Sequence, residues 1–108
     1  IVDVRAFLET FPFTGFHAPF HFVVTDPLAA WNNGVFSILD VQDGRVIVSD
    51  QPEGPPVVLN VRTLTALLMN YRRASYFADL EQLQAAPATI THLESLIPSH
   101  QPYFSDYF

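Results

Sequence analysis

The apolar residues of this chain keep two different spacings, and the order in which the spacings change restricts the fold more than any other feature. Val4, Phe7, Leu8 and Phe11 stand at i, i+3, i+4 and i+7, which is one face of a helix. Asp3 precedes them as an N-cap, and Pro12 stops them. Short runs rich in β-branched and aromatic residues follow, at 21–25, 36–41, 46–49 and 57–61, and these predict strands. The helical period then returns at Leu64, Leu67, Leu68 and Tyr71, and once more at Ile90, Leu93, Leu96 and Ile97, ahead of Pro98.

Turn residues separate these segments. The stretch 12–20 holds two prolines and a glycine and is expected to be irregular. Asn33-Gly34 and Asp43-Gly44 predict tight turns, because such pairs tolerate positive φ, and the second closes a hairpin. The sequence QPEGPP at 51–56 reads as a loop. Helices are predicted over about 62–72, over about 75–84 with Phe77 and Leu80 inward, and from Pro87 to Pro98, leaving 99–108 extended or irregular. Strands and helices are therefore segregated along the chain. That order predicts an α+β fold, with a mainly antiparallel sheet of about four to five strands covered by helices on one face.

A chain of 108 residues forms one domain, 1–108, and can bury a core without staples. Hydrophobic residues at 49% and charged residues at 15% argue against disorder. The absence of cysteine excludes disulfides, a thiol nucleophile and zinc–thiolate sites, and it fits a reducing, cytoplasmic setting. No apolar run is long enough for a membrane span, and no leader pattern opens the sequence. The net charge of -6 argues against nucleic acid, for which Arg62, Arg72 and Arg73 are too few. The chain opens at Ile1, already apolar, and reads as a segment of a longer polypeptide.

Few residues suggest chemistry. His17 and His21 have a metal-ligand spacing, but Pro19 lies between them and no acid lies within four positions of either, so both read as surface or partly packed. His92 reads as a helix-surface residue, and His100 lies in the tail. There is no G-x-S-x-G, and the serines occupy strand, turn, cap and tail positions. The four glycines stand alone, so the chain has no phosphate cradle and no nucleotide or coenzyme A loop of its own. The ten Phe, four Tyr and one Trp suit a filled core better than an apolar ligand pocket. Within Trp31-Asn32-Asn33-Gly34, Asn33-Gly34 is expected to make the turn, Asn32 to satisfy backbone groups and Trp31 to pack over the sheet.

Four stretches together carry a resemblance: IVDV at 1–4, DPLAAWNNGVFSI at 26–38, LTALLMNYR at 64–72 and SDYF at 105–108. In order and over essentially its whole length, the chain resembles the C-terminal sterol-carrier-protein-like domain of bacterial multidomain GNAT N-acetyltransferases, the group of the enhanced intracellular survival proteins. The resemblance implies a sterol-carrier-like fold and upstream GNAT domains, the first binding acetyl-CoA. It implies no cofactor or metal in this domain. It also implies a role in forming the site for an amine-bearing acceptor, and in homo-oligomer formation. It places the general-base role on the terminal carboxylate of Phe108, and the general acid, a tyrosine, in the upstream part. Tyr103, Phe104 and Tyr107 are then expected to anchor that end and wall it from water. A lipid or acyl-chain carrier without catalysis is the alternative reading.

Overall fold

The first helix forms where its cap and stripe place it. In the computed structural model, which describes residues 3–42 and 44–97, α1 covers Val4–Thr10. The Asp3 carboxylate accepts the N–H of Ala6 at 3.1 Å. Val4, Leu8 and Phe11 are buried. The irregular stretch after it has a task at the far end of the chain. Thr14 donates its N–H to the carbonyl of Leu96 (2.8 Å) and its hydroxyl to that of Ser95 (2.9 Å), satisfying carbonyls at the end of the last helix.

Five strands follow: β1 (Phe20–Thr25), β2 (Gly34–Gln42), β3 (Arg45–Ser49), β4 (Pro56–Asn60) and β5 (Leu83–Gln84). The sheet order is β3-β2-β1-β4-β5, and only the β1–β4 pairing is parallel. The fold is thus the expected α+β arrangement with a mainly antiparallel sheet. Strand alternation divides the residues between two faces. Phe20, Phe22 and Val24 of β1 share a face with Phe36, Ile38, Val46, Val48, Val57, Leu59 and Leu83. All ten join one core with buried residues of α1, α2 (Val61–Leu68), α3 (Ala74–Asp79) and α4 (Pro87–Leu96). The other face carries His21, Val23, Ser37, Val35 and Val58, none of which belongs to that core.

The chain crosses this outer face once, between β3 and β4. Ser37, fully buried, donates its hydroxyl to the carbonyl of Gln51 and accepts the N–H of Glu53 (3.1 Å). The carbonyl of Glu53 meets Nδ1 of His21 at 3.2 Å. At Gly54 the crossing comes so close to Pro19 that a Cβ would lie 2.1 Å from the Pro19 carbonyl oxygen, and φ there is +72°. Only glycine fits.

Two helices end earlier than their apolar spacing predicts. α2 stops at Leu68, and α3 stops at Asp79. After α2, Asn70 adopts φ 59° and donates to Leu67, while Tyr71 donates to Ala66. After α3, Glu81 adopts φ 60° and donates to Ala78, while Gln82 donates to Phe77. Both are Schellman caps, with the left-handed position filled by a residue other than glycine. Tyr71 and Leu80, expected inward, are therefore 52% and 51% exposed. The end of the expected 75–84 helix becomes β5 instead, paired with β4.

The Asn33-Gly34 turn also differs from expectation. Asn33 has φ -82°, and β1 joins β2 through an eight-residue loop, 26–33, that includes a 3-10 turn at Ala30–Asn32. β2 and β3 do pair antiparallel, as expected of a hairpin, and Gly44 has φ +78°.

Left-handed backbone costs a side-chain-bearing residue about 1–2 kcal/mol, and glycine's freer unfolded state offsets part of the relief. Glu81→Gly is expected to raise unfolding stability by about 0.5–1 kcal/mol. Asn70→Gly is expected to gain less than Glu81→Gly, because Asn tolerates this conformation. Urea titration of both variants checks the contrast, which fails if Glu81→Gly is no more stable than the parent.

Candidate functional site

Loop 26–33 is densely bonded. The Asp26 carboxylate is buried and accepts the N–H groups of Leu28 (2.9 Å) and Ala29 (3.2 Å) on one oxygen, and the side-chain amide of Asn32 (2.9 Å) on the other. These bonds, that from Asn32 foremost, hold its pKa below the ordinary carboxylate value. Asn32 is itself fully buried, and its Oδ1 accepts the N–H of Val4 at 2.9 Å, tying the loop to the start of α1. Asn33 grips the backbone of Asp26 from both sides. Its Oδ1 accepts the Asp26 N–H (2.8 Å), and its Nδ2 donates to the Asp26 carbonyl (2.7 Å). The side-chain amide thus serves as one more rung between β1 and β2.

Asn32 takes the backbone-satisfying role expected of it. Trp31 does not pack over the sheet, being 65% exposed, and Leu28 is 94% exposed. The loop spends its polar residues on internal bonds and turns apolar ones outward. The carboxylate and both amides are satisfied within the loop and by α1, so the arrangement is a scaffold and not a reactive centre.

The histidines separate into two settings. His21, buried, faces Ser37 across the β1–β2 ladder. A serine beside a histidine suggests a nucleophile and its base, but the Ser37 hydroxyl already donates to Gln51 and accepts from Glu53. The pair fastens the crossing loop. His17 is exposed, and its ring lies 3.8 Å, centroid to centroid, from that of His92. The His17 backbone N–H donates to Nε2 of His92 at 3.4 Å.

His92 is buried against Phe20 and Phe16, which corrects its reading as a helix-surface residue. The buried stripe of α4 is Thr89, His92, Leu93 and Leu96, a regular i, i+3, i+4, i+7 set whose first two members are polar. Burial first, and the nearby His17 second, lower the pKa of His92.

The arginines of the α2–α3 connection are engaged. Arg73 pairs with Glu94 at 3.3 Å, and Glu94 also accepts the N–H and hydroxyl of Ser75. Arg72 donates to the Tyr71 carbonyl and lies over the Tyr76 ring. The cleft beneath them, beside Leu67, Ala74 and Ile97, holds about 20 Å³, the volume of a single water. Among the described residues no three His, Asp or Glu side chains converge on a metal position. No described helix is long and apolar enough to cross a membrane. Phe108, the expected general base, lies outside the described residues, as do His100, Tyr103, Phe104 and Tyr107.

A family model described as a sterol carrier protein domain matches residues 4–105. No curated protein sequence matches the chain. Several solved structures share the fold. One is a conserved protein of unknown function from Enterococcus faecalis, a probable N-acyltransferase. It has 24% identity and a TM-score of 0.79, with 88% of this chain and 24% of that one covered. Another is a GCN5-related N-acetyltransferase from Anabaena variabilis, with 23% identity, a TM-score of 0.79, and 91% and 25% covered. A third is Eis1 from Mycobacterium abscessus, with 21% identity, a TM-score of 0.72, and 91% and 24% covered. The chain thus spans about a quarter of the length of each. At these identities the likeness establishes the fold.

The lowered pKa of His92 sets a pH dependence. The unfolded chain binds this proton near the ordinary value of 6.5, and the folded chain binds it only at lower pH. Stability from the neutral ring is therefore full above about pH 6.5 and is lost as pH falls through the window below it. The urea midpoint is expected to drop between about pH 7.5 and about pH 5.5, and to drop less in His92→Phe, which keeps a ring at the position. An equal drop in both proteins would remove His92 as the cause.

Proposed function

The chain belongs to the sterol carrier protein domain family, and on that premise we propose that it is the C-terminal module of a GNAT-type N-acetyltransferase. It helps form the site of an amine-bearing acceptor and supplies its terminal carboxylate, on Phe108, as general base. The observation that carries this reading is the shared fold itself. It covers about nine-tenths of this chain and a quarter of longer chains whose names include N-acyltransferase or N-acetyltransferase.

The acetyl donor, acetyl-CoA, belongs to an upstream domain, since the isolated glycines here offer its phosphates no cradle. The part of this chain is proton transfer. An acceptor amine must lose a proton around its attack on the acyl carbon, and a carboxylate within hydrogen-bond reach accepts it. A free α-carboxyl, with a pKa of about 3.5, is a weak base at neutral pH. Desolvation raises the pKa of a carboxylate and improves the match. The acceptor is a primary amine on a cationic small molecule or a lysine side chain, with which a net charge of -6 is compatible. The assembled enzyme works in the cytoplasm as a homo-oligomer.

The test is at the chain's end. In the full-length protein, residues appended after Phe108, or deletion of Tyr107-Phe108, should lower kcat about a hundredfold while acetyl-CoA affinity stays near that of the parent. Undiminished turnover with an appended tail would end the general-base assignment.

The family's description favours one other reading, a lipid or acyl-chain carrier. It asks for an apolar tunnel, whereas Phe20, Phe22, Leu64, Leu67, Leu68 and Leu93 fill the interior between sheet and helices. Native mass spectrometry separates the two readings: a stoichiometric co-purified lipid would favour the carrier.

A further inference from the structure

We infer that Asn33-Gly34 is a site of irreversible self-modification, a deamidation that the clamped loop 26–33 holds off and that local opening of the loop releases. The inference stands apart from the acetyltransferase reading.

The sequence supplies the reactants. Asn is a thermolabile residue, and a following glycine places no Cβ beside the attacking nitrogen. The Gly34 nitrogen attacks Cγ of Asn33, and a C–N bond forms. The Cγ–Nδ2 bond breaks, and Nδ2 leaves as ammonia with the proton lost by the Gly34 nitrogen. Water then opens the cyclic imide at either carbonyl, leaving aspartate at position 33 or isoaspartate, in which the main chain runs through the side chain. The net change is amide plus water to acid plus ammonia, so water is the only co-reactant.

Burial does not prevent this. Asn33 and Gly34 are both exposed, and no atom lies within 4 Å of where a Gly34 Cβ would stand. The protection is the commitment of the amide. Its Oδ1 accepts the Asp26 N–H at 2.8 Å, and its Nδ2 donates to the carbonyls of Asp26 (2.7 Å) and Ala29 (3.3 Å). These bonds tie the side chain to the upstream part of the loop. The backbone of Asn33 is extended, with ψ 134°, and its N–H is held by the Ala30 carbonyl at 3.1 Å. Bringing Cγ onto the Gly34 nitrogen gives up the side-chain bonds, and ring closure is fast only when the reacting atoms are held close.

The products do not fit the clamp. A carboxylate only accepts hydrogen bonds, so in place of Nδ2 it would set an oxygen against the carbonyl oxygens of Asp26 and Ala29. It also adds a negative charge to a loop that already holds the Asp26 carboxylate. The isoaspartate form lengthens the main chain just before Gly34, which pairs with Val24. A molecule that opens here and reacts therefore does not reclose as it was, and the reaction is a one-way mark of opening.

The full-length polypeptide is incubated in mildly alkaline buffer, folded and in urea above its unfolding midpoint. Conversion at position 33 is read by peptide mass spectrometry, with isoaspartate separated from aspartate. The folded protein should convert at least about tenfold more slowly than the unfolded one, and both products should form. Equal rates would overturn the inference, and aspartate alone would overturn the ring-closure route. Asp26→Ala loosens the loop while leaving Asn33 and Gly34 unchanged. Once circular dichroism shows it folded, it should convert faster than the folded parent; conversion at the parent's rate would overturn the protective role of the loop. The comparison of folded with unfolded parent stands whether or not this variant folds. Asn33→Asp should unfold at lower urea than the parent, and an equal midpoint would overturn the one-way mark.

Discussion

One side-chain amide holds one end of this molecule together. Asn32 is fully buried between α1 and loop 26–33, accepting the N–H of Val4 and donating to Asp26. Asp3 caps α1 at Ala6, so the Val4 N–H needs a partner from elsewhere in the fold. The Asp26 carboxylate needs donors to remain charged away from water. A single amide meets both needs. Its loss would strand a donor and weaken the support of a charge at the same point, where low dielectric magnifies the cost. The rest of the loop inherits its rigidity from that arrangement.

The crossing loop imposes a second constraint. Placing β4 beside β1 in parallel requires the chain to pass over β2 and β1 on its way from β3. Backbone laid across a sheet face brings polar groups that must be satisfied. Ser37 and His21 do this from strand positions where apolar side chains would otherwise be expected, and Gly54 lets the crossing lie against Pro19. The polar residues of the outer face are thus accounted for by the topology.

Much of the architecture was legible because the two periods are clean. α1 with its Asp3 cap, four of the five strands, and the existence of all four helices follow from spacing and turn residues. Helix ends were not legible, because the strongest stop signal is glycine and the chain uses Asn70 and Glu81 instead. Leu80 continued an apolar pattern that the backbone had already abandoned, and that concealed β5, two residues long. His92 was misread for a different reason. Its stripe is regular, but Thr89 and His92 are polar and look like surface. In WNNG the amide of Asn32 was read correctly and the ring of Trp31 was not. Spacing identifies a residue's face, but not whether that face has something to lie against. The general-base assignment to Phe108 came from resemblance, and its residues lie outside those the structure describes.

The proposed chemistry places a demand on the body of the domain. A carboxylate acting in another domain's site is placed only as accurately as the body that carries it. α4 is held at its C-terminal end by Thr14, which bonds to Ser95 and Leu96, and Ile97 is buried in the core. The chain therefore leaves α4 from a fixed point on a rigid body. That point belongs to the same packed core as the sheet, and a close-packed interior shifts as one piece, so α4 carries its end wherever the sheet is held.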